Sequence, residues 1–344
     1  MNIKEQTRRL WKTCFDDDDR FVDLYFSRRY REEINQVIEK DGMVVSALQA
    51  IPYPMTFCGE TVPMSYISGA CTLPGYRGHG LMRDLLARTH RAMYEDGVLM
   101  ATLIPAEEWL KNYYALSGYA VCFRYALKVI NSCEQPVDNF HNDLYIRNID
   151  LSTPVDNSLF SFFSEQMSRR SCCVQHDRDD LNLVLADLQL SGGSLWVARK
   201  CGKLVGMFFC VPKGEILSVK EMLLSDGLDA SGVLMYILHL QGLHQAECIV
   251  PSCNASEELG MARLVNVAGC LRLLAASQYR RELDIDIQVE GDEAIPENNG
   301  YYSLHGGELF HRFREGVSYI RMNIHEVTAW VMERLHPYMS LMLD

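Results

Sequence analysis

The chain has 344 residues, 48% of them hydrophobic, and a formal net charge of −12. That length and apolar content support two or three domains with buried cores. The acidic balance excludes a nucleic-acid partner, which requires a basic face, and suits an amine-bearing or cationic one.

The N-terminal MNIKEQTRRLWK lacks the apolar core of a secretory leader, and no run has the length of a membrane span. Twelve cysteines contain no C-x-x-C and no Cys/His grouping with zinc spacing. The expectation is a cytoplasmic protein with reduced thiols, no metal and no membrane partner.

Lys4–Cys14 and Arg20–Arg28 read as short helices joined by Phe15 and the acidic run Asp16–Asp19. The run serves either as an N-cap with favourable first-turn charge, or as an acidic rim that draws in a cationic acceptor. Asn35–Lys40 and Met43–Pro52 are strands around the hairpin turn Asp41-Gly42.

The stretch Ser65–Gly97 carries the strongest chemical signal in the chain. SYISGACTL reads as a buried strand, and Gly75-Tyr76-Arg77-Gly78-His79-Gly80 as a glycine-punctuated turn. Met82, Leu86, Thr89 and Met93 then recur at helical spacing before Gly97, a good helix terminator. Strand, glycine turn and helix are the layout of an anion cradle. The first N–H groups of the helix, at Leu81, Met82 and Arg83, lack intrahelical partners, and the dipole makes that end partly positive. Glycines remove the β-carbons that would hold a pyrophosphate away. The spacing is not G-x-G-x-x-G, and no Lys-Ser or Lys-Thr follows the glycines, so neither a dinucleotide fold nor a P-loop is indicated.

Val98–Leu103 reads as a buried strand, Glu107–Leu116 as a short helix and Tyr119–Val129 as a strand. A strand–helix–strand crossover in this order predicts an α/β sheet with its ligand at the strand C-terminal ends. The next segment repeats the order. Strand Leu144–Ile149 and helices Val155–Met167 and Arg178–Leu190 precede strands Ser194–Arg199, Lys203–Val211 and Ile216–Leu224. Helix Ala230–Gly242 and strand Glu247–Val250 close the set, a structural duplication without residue-level repetition. Its strand-to-helix turn, Ser225–Gly232, has glycines but no arginine. Asp226 and Asp229 would repel a pyrophosphate, so this copy is expected to bind no cofactor.

From Leu259 the character changes. Ala262–Ala276 reads as an apolar helix, Leu283–Val289 as a half-exposed strand, and Gly300–Leu304 with Glu308–Arg312 as a hairpin across His305-Gly306-Gly307. Strand Ser318–Met322, helix Ile324–Arg334 capped by Asn323, and an apolar tail Leu335–Asp344 complete a small α+β unit.

Arg77-Gly78-His79-Gly80 resembles the R-x-x-G-x-G/A turn with which GNAT N-acetyltransferases hold acetyl-coenzyme A, with Met82 replacing the small sixth residue. Over nearly its whole length the chain resembles the enhanced-intracellular-survival type of that family. Pro74–Arg83 is similar to its P-x-x-R-x-x-G-L-x-R cradle, where the sixth position is also large. Pro105-Ala106-Glu107 with Tyr114–Tyr119 resembles its P-S-E…Y-x-x-F-G-Y stretch, although the spacing is a residue or two longer and Ser117 replaces the aromatic. Met261–Val267 resembles its M-x-R-L-V-D-V linker.

The resemblance implies α/β tandem GNAT-like domains with mixed central sheets, at 1–133 and 134–256. A small α+β sterol-carrier-protein-like domain comes last, at 257–344. Only the first domain is expected to bind acetyl-CoA. The cofactor residues implied are Ala70, Cys71 and Thr72 through their backbone, the cradle Arg77, Gly78, His79, Gly80, Leu81, Met82 and Arg83, and Ala106 with Glu107. His79 is expected to act through its backbone N–H, its ring being an ordinary exposed turn histidine. Tyr114 matches the family's general acid, or else packs on the pantetheine as its neighbour Tyr113 does. The α-carboxylate of Asp344 matches its general base, or else is a frayed end.

The expected activity is direct acetyl transfer to an amine: a polyamine, an aminoglycoside-like cation or a protein lysine. Cys71 lies in the cradle strand with no histidine placed to activate it, so no acyl-enzyme is indicated. The alternative is a retired scaffold that binds a lipid or small molecule through its C-terminal domain. The family forms oligomers, so a homo-oligomer is expected.

Overall fold

The computed structural model describes residues 1–132 and 144–343. Helix α1 (Ile3–Cys14) is capped by Asn2, whose side chain accepts from the Glu5 N–H. Helix α2 (Asp19–Leu24) is capped by Asp18 in the same way and passes directly into a π-helical turn, Tyr25–Arg29. The single helix expected over Arg20–Arg28 is therefore two. The wide turn brings Tyr25, Phe26 and Tyr30 together onto Trp11 and the inner core.

Strands β1 (Asn35–Lys40), β2 (Met43–Phe57) and β3 (Glu60–Thr72) form an antiparallel meander. Its first turn places Asp41 and Gly42 at positive φ. Helix α3 (Leu81–Glu95) crosses over to β4 (Met100–Leu103), parallel to β3. Helix α4 (Glu108–Ala115) and strand β5 (Ala120–Asn131) come next.

The second pass runs β6 (Leu144–Ile149), α5 (Asn157–Ser168), β7 (Cys172–Val174), α6 (Arg178–Leu190), β8 (Ser194–Lys200), β9 (Lys203–Lys213) and β10 (Ile216–Leu224). Helix α7 (Ala230–Gln241) crosses over to β11 (Gln245–Val250), parallel to β10 as β4 is to β3. Strand β12 (Glu257–Leu264), helix α8 (Val267–Ala276) and strands β13 (Ile285–Val289), β14 (Gly300–His305), β15 (Glu308–His311) and β16 (Ile320–Met322) lead to helix α9 (Ile324–Glu333).

One mixed sheet holds both passes, in the order β1-β2-β3-β4-β12-β5-β11-β10-β9-β8-β6, with β7 pairing on β2. The large mixed sheet beside a small α+β unit is the architecture expected, but its centre departs from expectation. The strand after each crossover pairs across to the other pass: β12 lies antiparallel to β4, β5 lies antiparallel to β11, and β12 and β5 pair with each other. Ala262–Leu264 is therefore strand, and the helix expected from Ala262 begins only at Val267. Asn266 caps it by accepting from Gly269 N–H at 2.7 Å. Two-sided pairing outweighs the helix-forming composition of EELGMARL. The three-residue β7 is likewise an element that the local pattern does not announce.

The small sheet, ordered β15-β14-β13-β16, packs its apolar face into the same core as α8, α9 and β12. No helix among the described residues is long and apolar enough to cross a membrane.

Arg263 on β12 ties these parts together. Its guanidinium meets both oxygens of Asp292 at 2.7 and 2.8 Å and donates to the Ser117 carbonyl at 2.6 Å. Both partners of the ion pair are buried. Removing one side of such a pair strands a charge and costs about 3–5 kcal/mol. Asp292→Ala should lower unfolding free energy by that amount in denaturant titrations, with the loss largely recovered when Arg263→Met is added.

Candidate active site

Strands β3 and β4 pair only from Met64/Met100 to Tyr66/Thr102. Beyond that point β4 stops at Leu103 while β3 continues to Thr72, so the β4-facing edge of β3 is open over its last six residues. Within that run Gly69 (φ +60) and Ala70 together oppose Leu48 in a β-bulge. A bulge of this kind re-aims the strand. A side chain at Gly69 would collide with the Trp11 ring, its β-carbon 2.1 Å from an indole carbon.

The cradle comes immediately after. A short 3₁₀ turn, Pro74–Tyr76, leads to Gly78 (φ +78) and Gly80 (φ +76). These are left-handed conformations that cost a side-chain-bearing residue about 1–2 kcal/mol. Gly80 is the N-cap of α3 and offers no side chain to close it. The first intrahelical bond is Asp84 N–H to the Gly80 carbonyl at 3.0 Å. The N–H groups of Leu81, Met82 and Arg83 precede it and point out of the helix start. A β-carbon at Gly78 would meet nothing within 4 Å, and one at Gly80 only the tip of Arg83, so both glycines face open space.

The matching turn of the second pass lacks the arginine and differs at its cap. Helix α7 is capped by Asp229, whose carboxylate accepts from Ser231 N–H at 3.1 Å. A carboxylate there occupies the place an anionic ligand would take and repels it.

A cavity of about 890 Å³ runs along the open edge of β3 and the cradle. Every cofactor residue expected from the sequence lines it: Ala70, Cys71, Thr72, Arg77, Gly78, His79, Gly80, Leu81, Met82, Arg83, Ala106 and Glu107, with Tyr114 at its inner wall. Arg77 Nε donates to the Thr72 carbonyl at 3.0 Å, tying cradle to strand. The His79 ring turns back onto the Arg77 carbonyl, Nδ1 at 2.9 Å. Glu107 accepts from Trp109 Nε1 at 2.8 Å. Uncapped amides, glycines facing space and three basic side chains fit a diphosphate. The open strand edge fits an extended amide-bearing arm.

Tyr114 is 7% exposed, and burial raises its phenol well above the ordinary tyrosine value. It is therefore protonated throughout the physiological range. Its ring packs edge-on against Tyr113 and Tyr119. Tyr119 bonds His90 Nε2 at 2.8 Å beneath the site. Burial, then the Arg263 charge, hold His90 well below 6.5.

Asp344 lies outside the described residues. The tail before it is buried and pinned. Tyr338 N–H donates to the Cys172 carbonyl at 2.9 Å and Val174 N–H to that of Tyr338 at 3.2 Å. Ser340 Oγ donates to Glu221 at 2.6 Å, and His176 Nε2 meets the Ser340 carbonyl at 3.0 Å. Glu221 is fully buried against a bidentate Arg170 at 2.8 and 2.9 Å. Met339–Leu343 line a second cavity of about 530 Å³ together with Phe21, Ile104 and Leu259. The two cavities approach through two short segments. Phe15 lines the first and Asp17 the second; Ala106 lines the first and Ile104 the second.

The sequence reading missed Cys14, the last residue of α1. Its thiol lines the first cavity and donates to the Thr72 carbonyl at 3.5 Å. The Cys71 S–H, donating to the thiolate form, and then Arg77 lower its pKa, against burial. The signal was tertiary, since α1 meets the end of β3 only in the fold. Among the described residues no group of three or more His, Cys, Asp or Glu is arranged to hold a metal.

These environments can be measured. Cys14 should alkylate with a pH midpoint more than one unit below the ~8.5 of a free thiol, and coenzyme A should slow that alkylation. For His90, the folded value lies below the unfolded ~6.5, so the unfolded chain gains the proton first as pH falls. Stability contributed above pH ~6.5 is therefore lost as the pH falls below it. His90→Gln should flatten that slope in denaturation curves.

Comparison with known proteins places this geometry. A family model of the acetyltransferase (GNAT) domain matches residues 3–122. No curated protein matches by sequence. Among solved structures, Eis1 of Mycobacterium abscessus superposes with a TM-score of 0.72 at 14% identity, over 96% of this chain and 87% of that one. A GCN5-related N-acetyltransferase from Kribbella flavida gives 0.72 at 14% identity, over 99% of this chain and 95% of that one. One from Anabaena variabilis gives 0.70 at 18%, over 95% and 87%. At such identities the likeness is one of fold. Residues 3–122 thus form a GNAT acetyltransferase domain, and the protein that carries it is an acetyltransferase.

Proposed function

We propose that the protein transfers the acetyl group of acetyl-CoA to a primary amine by direct attack in a ternary complex. One observation carries this reading: the open edge of β3, the uncapped start of α3 and the buried Tyr114 phenol share one cavity.

Four tasks fall to the chain's own residues. The amides of Leu81, Met82 and Arg83 with the Arg77 and Arg83 charges hold the diphosphate. The backbone of Ala70–Thr72 bonds the pantetheine arm as an added strand and offers an N–H to the developing oxyanion. The amine nitrogen attacks the thioester carbon; collapse of the tetrahedral intermediate breaks the carbon–sulfur bond. Tyr114 O–H meets the departing thiolate. With its pKa raised, full proton transfer is uphill, so the phenol acts first as a hydrogen-bond donor and yields its proton only as charge builds on sulfur. The Asp344 carboxylate takes the amine's proton through water. The pinning of Tyr338, Ser340 and their neighbours supports a held tail in that role.

The reading keeps the division at 1–133, 134–256 and 257–344, with the last unit sterol-carrier-like in form but serving as a scaffold. The apolar residues of its sheet, Ile287, Val289, Tyr302 and Leu304, are spent on the shared core. That favours the transferase over a lipid-binding alternative. The homo-oligomer and the cytoplasmic setting belong to the same proposal.

The test is CoA release in the presence of a mixed amine panel. Acetyl-CoA should protect the protein against heat. Tyr114→Phe should lower kcat about 100-fold with little change in the KM for acetyl-CoA. An unchanged kcat would reduce Tyr114 to a packing residue, and absence of heat protection would remove the cofactor assignment itself.

A further inference from the structure

The second cavity, of about 530 Å³, is large enough for a small-molecule acceptor. Its walls come from segments far apart in the chain: the start of α2, the residue after β4, α6, β9, β10, β11, β12 and the tail. Twelve of its nineteen described lining residues are apolar, among them Phe21, Val184, Leu188, Val211, Ile249 and Leu343.

Its charges are few and mostly engaged. Asp17 accepts from Trp11 Nε1 at 2.7 Å, and Asp18 is held by the Arg20 guanidinium and N–H. Asp187, half-buried on α6, faces Lys220 of β10, which offsets part of the desolvation that raises its carboxyl. The described lining holds three carboxylates, Asp17, Asp18 and Asp187, against two cations, Arg20 and Lys220. It is one positive charge short of neutral.

We infer that this cavity takes an acceptor with a single ammonium on an apolar body, an arylalkyl- or alkylamine, in preference to a polyamine or an aminoglycoside. This rests on the transferase reading above and narrows its acceptor class. A polycation brings two or more further charges, each of which must shed water into a mostly apolar chamber whose described carboxylates already face Trp11, Arg20 and Lys220. An apolar body instead gains from contact with the tail residues Met339, Met342 and Leu343 and with α6. The surplus negative charge, to which half-buried Asp187 contributes, draws the single ammonium into the cavity, and the nitrogen sheds its proton before it attacks the thioester. In the Asp16–Asp19 run, which by composition suggested a polycation site, Asp17 holds Trp11, Asp18 caps α2 and Asp19 pairs with Lys12.

The experiment measures CoA release by the full-length protein with tryptamine, phenethylamine, spermidine and kanamycin. Tryptamine or phenethylamine should exceed spermidine and kanamycin at least tenfold in kcat/KM. Asp187→Asn should raise the amine KM fivefold or more and leave the KM for acetyl-CoA unchanged. Leu190→Asp, which adds a carboxylate to the same wall, should narrow the tryptamine-to-spermidine ratio at least fivefold. Preference for spermidine or kanamycin by wild-type protein would overturn this inference and leave the transferase reading standing. An amine KM unaffected by both substitutions would also overturn it. No release with any of the four amines, in protein that acetyl-CoA still protects against heat, would overturn the transferase reading and this inference with it.

Discussion

Strand β12, lying between β4 and β5, is the contact on which the other features depend. It supplies β4 with a partner at Met100–Leu103, so that short strand is held from both sides although β3 accompanies it for only three residues. β3 is thereby left to run on alone, and its open edge is what an extended ligand arm can join. The same strand carries Arg263, which reaches the Ser117 carbonyl just past Tyr114 and closes on Asp292. A side chain at Gly118 would strike that guanidinium at 2.5 Å. The turn after α4, the open edge and the small C-terminal sheet are thus set by one strand that follows the second pass.

The two crossovers show how one scaffold yields two outcomes. Both begin with a strand, a glycine-bearing turn and a helix, and both end in a parallel partner. At the first, the N-cap is a glycine in the left-handed region with no side chain to offer. At the second, a carboxylate caps its own helix. The turns differ in their arginine and aspartates as well, but it is the cap that decides whether the positive end of the helix faces a cavity or an aspartate.

Much of this was legible in the chain. Positions at positive φ between strand and helix favour glycine, so Gly78 and Gly80 marked the cradle, and all the expected cofactor residues line one cavity. Strands with clear alternation or flanking turns, such as Ile216–Leu224 and Leu144–Ile149, fell where the pattern put them. What escaped notice depended on distant partners. EELGMARL becomes a strand only because β4 and β5 flank it, and Cys172–Val174 only because β2 and the tail do. The second cavity draws its walls from eight separate segments, and Cys14 meets Thr72 across 58 residues. No local period encodes such meetings.

The traded strands also constrain how this chain is made. On a ribosome, the half bearing the GNAT domain emerges first, with its glycine turn and its helix α3 complete. Its sheet still lacks β12 until residue 264 has been released, and β7, already paired on β2, receives the tail only at Tyr338. Until then β4 and β5 present bare edges, the kind of surface that invites pairing with another nascent chain. Vectorial synthesis therefore cannot deliver the finished GNAT domain early. Maturation has to wait for segments translated long after the cradle, and a truncated product would carry the cradle without the frame that holds it open.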